Sequence, residues 1–483
     1  MVYVVNTMEI SMQEKFRPNG AIWMLDNRNT ILLAIMVGIL IVIMIVPQGL
    51  DYRGGGDPTS GSALSRLTWL LLLATGALFT ISRGGLAWLL ARNLNPFLLI
   101  IVALACASMA WSIDPHLTLR RLVRLITFVL VCTAFVLNGW HASRFQNVVR
   151  PVLTFFLFGS IVFCLVDPKL AIEKGTSYEV LNAWHGLATQ KNALGALACL
   201  GLIFWLHAWL AGEVKSKSAL VGGVIAAICL VFSRSSTAMG TTIVSMSLLV
   251  MLMRTPVFLR SARPFIVSIL AVLILIFAIA ILNVVPGLSF ILDPIVALTG
   301  KNMTFTGRTD IWAILADHIK LHPLLGTGYQ AYWTPQPIPG HPSYEMVVKL
   351  YGFYPTESHN GYIDVMNDLG YIGLICLLAF LFFYIRQSLQ LMKVNSNQAA
   401  LFLVLFFEQA INNLTEAIWF NVQAVDTVLM MLATLALGRT LLEYRLRSVF
   451  TNPYSSSNKI KDELSRCTDT HSTMFQKNRN TIT

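Results

Sequence analysis

Thr356-Glu357-Ser358-His359-Asn360-Gly361-Tyr362-Ile363-Asp364-Val365-Met366-Asn367-Asp368-Leu369-Gly370-Tyr371-Ile372-Gly373 runs from a polar, ionisable cluster straight into an apolar segment. A water-exposed helix alternates its faces and does not turn uniformly apolar, so the junction marks the point where the chain enters a membrane. The rest of the chain agrees: of 483 residues, 55% are hydrophobic and only 12% charged, with mean hydropathy +0.66, where a soluble domain carries roughly 25% charge. Outward from that junction, apolar runs fall near 30–46, 63–81, 96–111, 120–139, 148–166, 192–211, 218–233, 236–253, 264–285, 369–385, 397–412 and 422–440, the first, third and seventh being short and open to a tilted or re-entrant reading. At about twenty residues per crossing they predict an all-α, polytopic membrane protein of about twelve transmembrane helices, with one long external segment carrying short helices.

Lys and Arg set the expected orientation, because they collect on the cytoplasmic side. With the N-terminus inside, Arg83, Arg92, Arg144, Arg150, Lys215, Lys217, Arg254, Arg260, Arg263, Arg386 and Lys393 all fall in inner loops. The expected organisation is a cytoplasmic arm 1–29 leading into a retained signal-anchor, helices one to nine over 30–285, and a periplasmic segment 286–360. Helices ten to twelve over 361–441 and a disordered cytoplasmic tail 442–483 complete it. The net charge of +11 is then inner-leaflet anchoring and not a nucleic-acid surface. Six of the seven cysteines lie in apolar runs and 286–360 has none, which excludes a disulfide framework or a CxxC metal site.

Several cations break the inside-positive pattern. Arg120, Arg121, Arg124, Lys191, Arg234 and Arg308 are expected at outer helix ends, where they either hold an anionic ligand or reach headgroups and pair with Asp114 and Glu173. In the external segment, Thr304 to Leu321 reads as a helix capped by Thr306 or Thr309, with Ile311, Trp312, Ile314, Leu315, Ile319 and Leu321 as an apolar stripe. His322-Pro323 ends it, Gly326 and Gly328 turn the chain, and Tyr329, Tyr332 and Trp333 are expected at the membrane interface or, alternatively, stacked on a sugar.

No HExxH or DxD pattern accompanies His359, and no Gly-x-Ser-x-Gly elbow occurs, so neither a dedicated metal site nor a serine nucleophile is expected. What remains is a base, His359 or Glu357, together with arginines whose planar donor forks suit phosphate oxygens. Those parts suit transfer of a group off a lipid pyrophosphate. Alternatively, His359 or Asn360 caps a helix, and Arg308 pairs with Asp310 or Asp317.

Gly307-Arg308-Thr309-Asp310-Ile311-Trp312, His322-Pro323-Leu324-Leu325-Gly326-Thr327-Gly328-Tyr329, Ser358-His359-Asn360-Gly361-Tyr362 and Leu369-Gly370-Tyr371-Ile372-Gly373 resemble the signature of the O-antigen ligase and O-antigen polymerase superfamily. Upstream, Gln190-Lys191-Asn192-Ala193-Leu194-Gly195 and Ser233-Arg234-Ser235-Ser236-Thr237-Ala238 are similar to two further family segments. The resemblance implies a bacterial inner-membrane glycosyltransferase, needing no cofactor and no metal, that takes glycans from undecaprenyl pyrophosphate at the periplasmic face. Arg234 and Arg308 would hold the pyrophosphate, with Lys191, Arg120 and Arg124 as further substrate contacts, and His359, Glu357 and Arg308 would be catalytic. A glycan acceptor, membrane lipid, a flippase and a chain-length regulator are the implied partners. The Gln-Lys-Asn and Ser-Arg-Ser forms favour a polymerase of exopolysaccharide or O-antigen repeat units over a ligase acting en bloc on lipid A-core or protein. A transporter would need ionisable groups near the membrane midplane. The nearest, Arg124, Glu408 and Asp426, are expected toward outer helix ends.

Overall fold

A computed structural model describes residues 63–138, 144–174, 181–281, 308–422 and 424–451, with five further positions between 34 and 42. Most of the first apolar run, residues 282–307 and the tail beyond 451 lie outside the described residues, Thr304 and Thr306 among them. The described chain is helical: α1 (Ala63–Ile81), α2 (Gly84–Asn93), α3 (Pro96–Ala107), α4 (Pro115–Leu137), α5 (Arg144–Val166), α6 (Pro168–Ala171), α7 (Lys191–Leu210), α8 (Ser216–Phe232), α9 (Ser236–Arg254) and α10 (Arg263–Ile281). After the undescribed stretch follow α11 (Arg308–Leu321), α12 (Tyr344–Lys349), α13 (Gly361–Met392), α14 (Ser396–Asn412) and α15 (Val425–Thr451).

Local sequence explains several starts. Asn95, Asp114, Ser235, Asn360 and Asn395 each accept a backbone N–H of the first turn through the side chain, and Pro96 and Pro115 occupy the first helical position, where the missing N–H costs nothing. Among the described residues, α5, α7, α9, α13 and α15 are long and apolar enough to cross a membrane. α1 and α2 would add a sixth span if their 92° bend belongs to one broken crossing, while α3 and α8 are apolar but shorter. The all-α polytopic architecture read from the sequence therefore holds, while length and composition make five or six spans of the described helices able to cross a membrane, against the twelve or so expected.

Hydrogen bonds sort the helix ends into two groups. The end of α3, the starts of α4, α7 and α13 and the end of α14 meet around residues 323–333 and 357–361, through Tyr329 N–H to Ser108, Thr118 to Tyr329, Gln190 to Glu357 and Gly361 N–H to Asn413. The opposite end is tied by Gln146 to Glu213 and Gln398, by Arg150 to Glu213 at 3.0 Å, and by Arg263 to Ser396 at 2.6 Å. Cations expected in inner loops thus gather at the end away from Glu357 and His359.

α13 carries the one backbone break that shapes this site. Gly370 sits at φ 67°, ψ −167°, a region open essentially to glycine, and the helix breaks there. The groups released are taken up by the His322–Gly328 stretch: Thr327 N–H and Gly328 N–H donate to the carbonyls of Asn367 and Asp368, and Tyr371 and Ile372 N–H donate to those of Pro323 and Leu324. The loop is thereby stitched into the break, and the backbone groups freed there find partners. A Cβ on Gly370 would lie 2.2 Å from the Leu324 carbonyl oxygen, and one on Gly326 2.4 Å from the Asp368 backbone. Gly370→Ala should therefore cost at least ~2 kcal/mol and lower the Tm of the purified protein. Gly240→Ala, on a helical face where an added Cβ meets nothing within 4 Å, should leave Tm unchanged or slightly raised.

α11 caps the bundle and packs on α13. Ile311, Trp312, Ile314, Leu315 and Ile319 are buried as expected, but Leu321 is 73% exposed because the chain turns away at His322-Pro323. The interface reading of Tyr329, Tyr332 and Trp333 is corrected: they are buried at 2%, 0% and 5% exposure. Each packs inward because the loop is pinned beneath them, with Tyr329 Oη donating to the Phe420 carbonyl and Trp333 Nε1 to Asp364 at 3.0 Å.

Candidate functional site

His359 has φ +54°, an uncommon conformation for a side-chain-bearing residue that histidine tolerates better than most. It is not the helix cap: Asn360 caps α13 by accepting from Tyr362 and Ile363 N–H, which leaves the imidazole free. The loop is anchored from three sides. Trp312 Nε1 donates to the Ser358 carbonyl at 2.9 Å, Asn360 Nδ2 reaches the Leu414 carbonyl, and Gly361 N–H donates to the carbonyls of both Asn413 and Glu416. Only a glycine fits at 361, since a Cβ would lie 2.0 Å from Asn413 Oδ1. The Ser-His-Asn-Gly run is thus a plug that registers His359 against the turn after α14.

That turn supplies Glu416, at 8% exposure, and Glu416 organises the site. Its Oε1 accepts from Arg308 at 3.1 Å and from Asn192 Nδ2 at 2.7 Å; its Oε2 accepts from Gln190 Nε2 at 3.2 Å and faces His359 Nδ1 at 3.4 Å. Glu357 Oε1 lies 3.3 Å from the same Nδ1 and accepts from Gln190 Nε2 at 3.1 Å. With two carboxylates before it, Nδ1 carries the hydrogen and Nε2 is the imidazole atom left for other chemistry.

The electrostatics follow from this crowding. Burial pushes the Glu357 carboxyl up, opposed by His359 and reinforced by the charges of Glu416 and Asp364, to about 7. For His359, burial works against the imidazolium, but the hydrogen bond to Glu416 and the charges of Glu357 and Glu416 outweigh it, and its pKa is raised. The cluster therefore holds a carboxyl poised to exchange a proton near neutrality beside an imidazole whose cationic form is favoured by the two carboxylates facing it.

Glu357, His359 and Glu416 each present a ligand atom within 4.8 Å of the others, a set that could take a cation. The sequence reading, which expected no metal, did not see this set because Glu416 stands 57 residues beyond His359. The donor chemistry argues for a different use. The carboxylate oxygens already accept from Gln190, Asn192 and Arg308, donors with which an added cation would compete.

The other expected site residues are placed as follows. Arg308 bonds Glu416, not Asp310 or Asp317; Asp317 pairs with Lys320 at 2.9 Å. Arg234, expected beside Arg308 and His359, is exposed at the α8–α9 junction with φ +50° and donates to the Leu181 carbonyl at 2.8 Å; no described contact joins it to the cluster. Lys191 opens α7 with its N–H on Glu173 Oε1, and it is the flanking Gln190 and Asn192 that reach the carboxylates. Arg124 stacks over Trp69 at 5.3 Å and Arg120 is exposed. Among these cations the buried one is Arg121, whose guanidinium donates to the carbonyls of Gln330 and of Trp333, the latter at 2.7 Å. Glu408 and Asp426 are buried near helix ends, Glu408 accepting from Gln409 and Asn412.

Residues 221–378 match the family model described as O-antigen ligase. The exopolysaccharide production protein ExoQ of Rhizobium meliloti (strain 1021) is 28% identical over 286 residues, which cover 56% of this chain and 60% of that protein. The chain thus aligns with less than two thirds of that relative's length. The resemblance to the O-antigen ligase and polymerase superfamily holds, and with it a multi-pass membrane protein. Arg234, Arg308, Glu357 and His359 fall inside the stretch matched to the family model; Gln190, Asn192 and Glu416 fall outside it.

Proposed function

We propose that this chain is a membrane glycosyltransferase that polymerises oligosaccharide units carried on a lipid pyrophosphate, undecaprenyl pyrophosphate being the carrier the family resemblance suggests. The observation that carries the reading is the cluster itself: a carboxyl lifted to about 7 touches an imidazole, and both connect through Glu416 to a half-buried arginine. Base and cations stand in one group at one end of the helix bundle.

The parts divide the work of one displacement. An acceptor hydroxyl gives its proton to Glu357 as its oxygen bonds the anomeric carbon of the donor sugar. The carbon–oxygen bond to the diphosphate breaks, and the electron pair leaves with the diphosphate. Arg308 and the His359 imidazolium, held in place by Glu416, stabilise the charge that develops there. Attack opposite the leaving group inverts the anomeric centre, and proton transfer and charge stabilisation come from this chain's own side chains.

The segregation of cations at the opposite end of the bundle supports an orientation with the cluster on the periplasmic side of a bacterial inner membrane and both termini inside. Arg234, exposed and on the same face as the α7 start, then meets the carrier's phosphates where it enters. The product decides between polymerase and ligase, the second reading favoured by the description of the matching family model. Purified protein given a lipid-linked repeat unit as both donor and acceptor should yield a ladder of lengthening chains. Transfer of a whole chain to lipid A-core or protein, with no change in repeat number, would reassign it as a ligase.

A further inference from the structure

Beside the charged cluster lies a second feature that the chemistry above does not use. A narrow polar recess with a cavity volume of about 20 Å³ is bordered by Glu357 but by none of Arg308, His359, Glu416 or Gln190. This is room for one or two water-sized groups. Trp333 and Trp419, each 5% exposed, form walls, and Asp364 and Asp368 lie along the first turns of α13. Two buried acceptors that line it are left without partners: Asp368 Oδ1, on a side chain 6% exposed, and Gln330 Oε1. Buried polar atoms are nearly always paired, so orphans gathered in one recess mark a place for a ligand.

The recess is assembled with some care. Gln330 is held at φ +50°, its carbonyl by Arg121 and its amide nitrogen by Asn421 at 3.2 Å, which leaves Oε1 as its unused atom. Arg121 donates to the backbone carbonyls of Gln330 and Trp333 and so braces the wall. Trp333 is fixed by its bond to Asp364.

Hydrogen-bond chemistry decides what enters. The carboxyls of Glu357, Asp364 and Asp368 line the recess and suit a diphosphate poorly, whereas orphaned acceptors require a ligand that brings hydrogen-bond donors. We infer that this recess is the acceptor subsite: it takes hydroxyl groups of the neutral acceptor sugar on Asp368 and Gln330, next to the hydroxyl that faces Glu357. The inference rests on the glycosyl-transfer reading and sharpens it. Donor diphosphate and acceptor sugar lie on opposite sides of Glu357, and Asp368 and Gln330 govern which sugar is extended.

Full-length protein in detergent, titrated calorimetrically with lipid-free oligosaccharides released from the organism's own polymer, tests this. Asp368→Asn and Gln330→Leu should each weaken oligosaccharide binding roughly tenfold, while inorganic pyrophosphate should not displace the sugar and Arg308→Ala should bind it as wild type does. Should Asp368→Asn fail to fold, Gln330→Leu decides alone. Wild-type affinity in the folded variants, displacement by pyrophosphate, or no oligosaccharide binding by wild type would each overturn the subsite. The glycosyl-transfer reading fails separately, if wild type forms no glycosidic bond from a lipid-linked donor; normal elongation with an unchanged acceptor KM in Gln330→Leu would overturn the subsite alone.

Discussion

Glu357→Gln is expected to lower kcat by about 10²–10⁴-fold, the range for loss of a positioned general base, and to change the pH dependence in a defined direction. The base acts only when ionised, so in the wild type the rate should climb as pH rises through about 7, where the buried Glu357 carboxyl gives up its proton. It should fall again at higher pH, once the imidazolium of His359, raised above its ordinary value by Glu416 and Glu357, is lost. The glutamine variant removes the acid limb. It also takes one negative neighbour from His359, so the alkaline limb should move to lower pH. If His359 were the base, the acid limb would survive in Glu357→Gln and vanish in His359→Gln. A pH profile of kcat on both variants separates the two.

Glu416→Ala should be nearly as damaging, although Glu416 need not touch substrate. Its carboxylate holds Arg308, Asn192, Gln190 and His359 at once, and small displacements of catalytic groups cost on the order of 10²-fold. The expected result is a fall of about 10²–10³ in kcat/KM, with the protein folded. Because Arg308 and Glu416 act as one unit, their effects should not add. The double variant Arg308→Ala, Glu416→Ala should be little worse than the poorer single one, a coupling within the ~0.5–3 kcal/mol usual for contacting residues. Additive losses in that cycle would mean that the two side chains serve separate steps.

How far the sequence foretold this arrangement depends on which residues are considered. The membrane spans were legible because each is a contiguous apolar run, and the sorting of Arg144, Arg150 and Arg263 away from the site followed from loop charge. Arg308, Glu357 and His359 were legible because they stand in short motifs. Glu416 was not: it is a lone carboxylate after α14, and its role exists only because Gly361 N–H fixes the plug against its carbonyl. A carboxylate expected at the same membrane depth as His359 was the available signal, and Glu408 and Asp426 drew attention in its place. Gln190 and Asn192 were overshadowed by the charge of Lys191 between them, since a helix start turns adjacent side chains in different directions. Arg234 and Arg124 show the converse, for placement at the correct end of a helix does not fix where a long side chain points. Trp333 and Tyr332 read as interface residues until the His322–Gly328 stretch was found threaded into the break at Gly370, a long-range pairing that no local pattern carries.

The account stands on one claim, that the Glu357–His359–Glu416–Arg308 cluster forms glycosidic bonds at the expense of a lipid diphosphate. Chain length measured over time, with purified protein in lipid vesicles and a lipid-linked repeat unit as the sole substrate, tests it most directly. The wild type should lengthen the glycan and release one carrier diphosphate per bond formed, and His359→Ala and Arg308→Ala, folded and present in equal amount, should do neither. Elongation at the wild-type rate by both variants would contradict it.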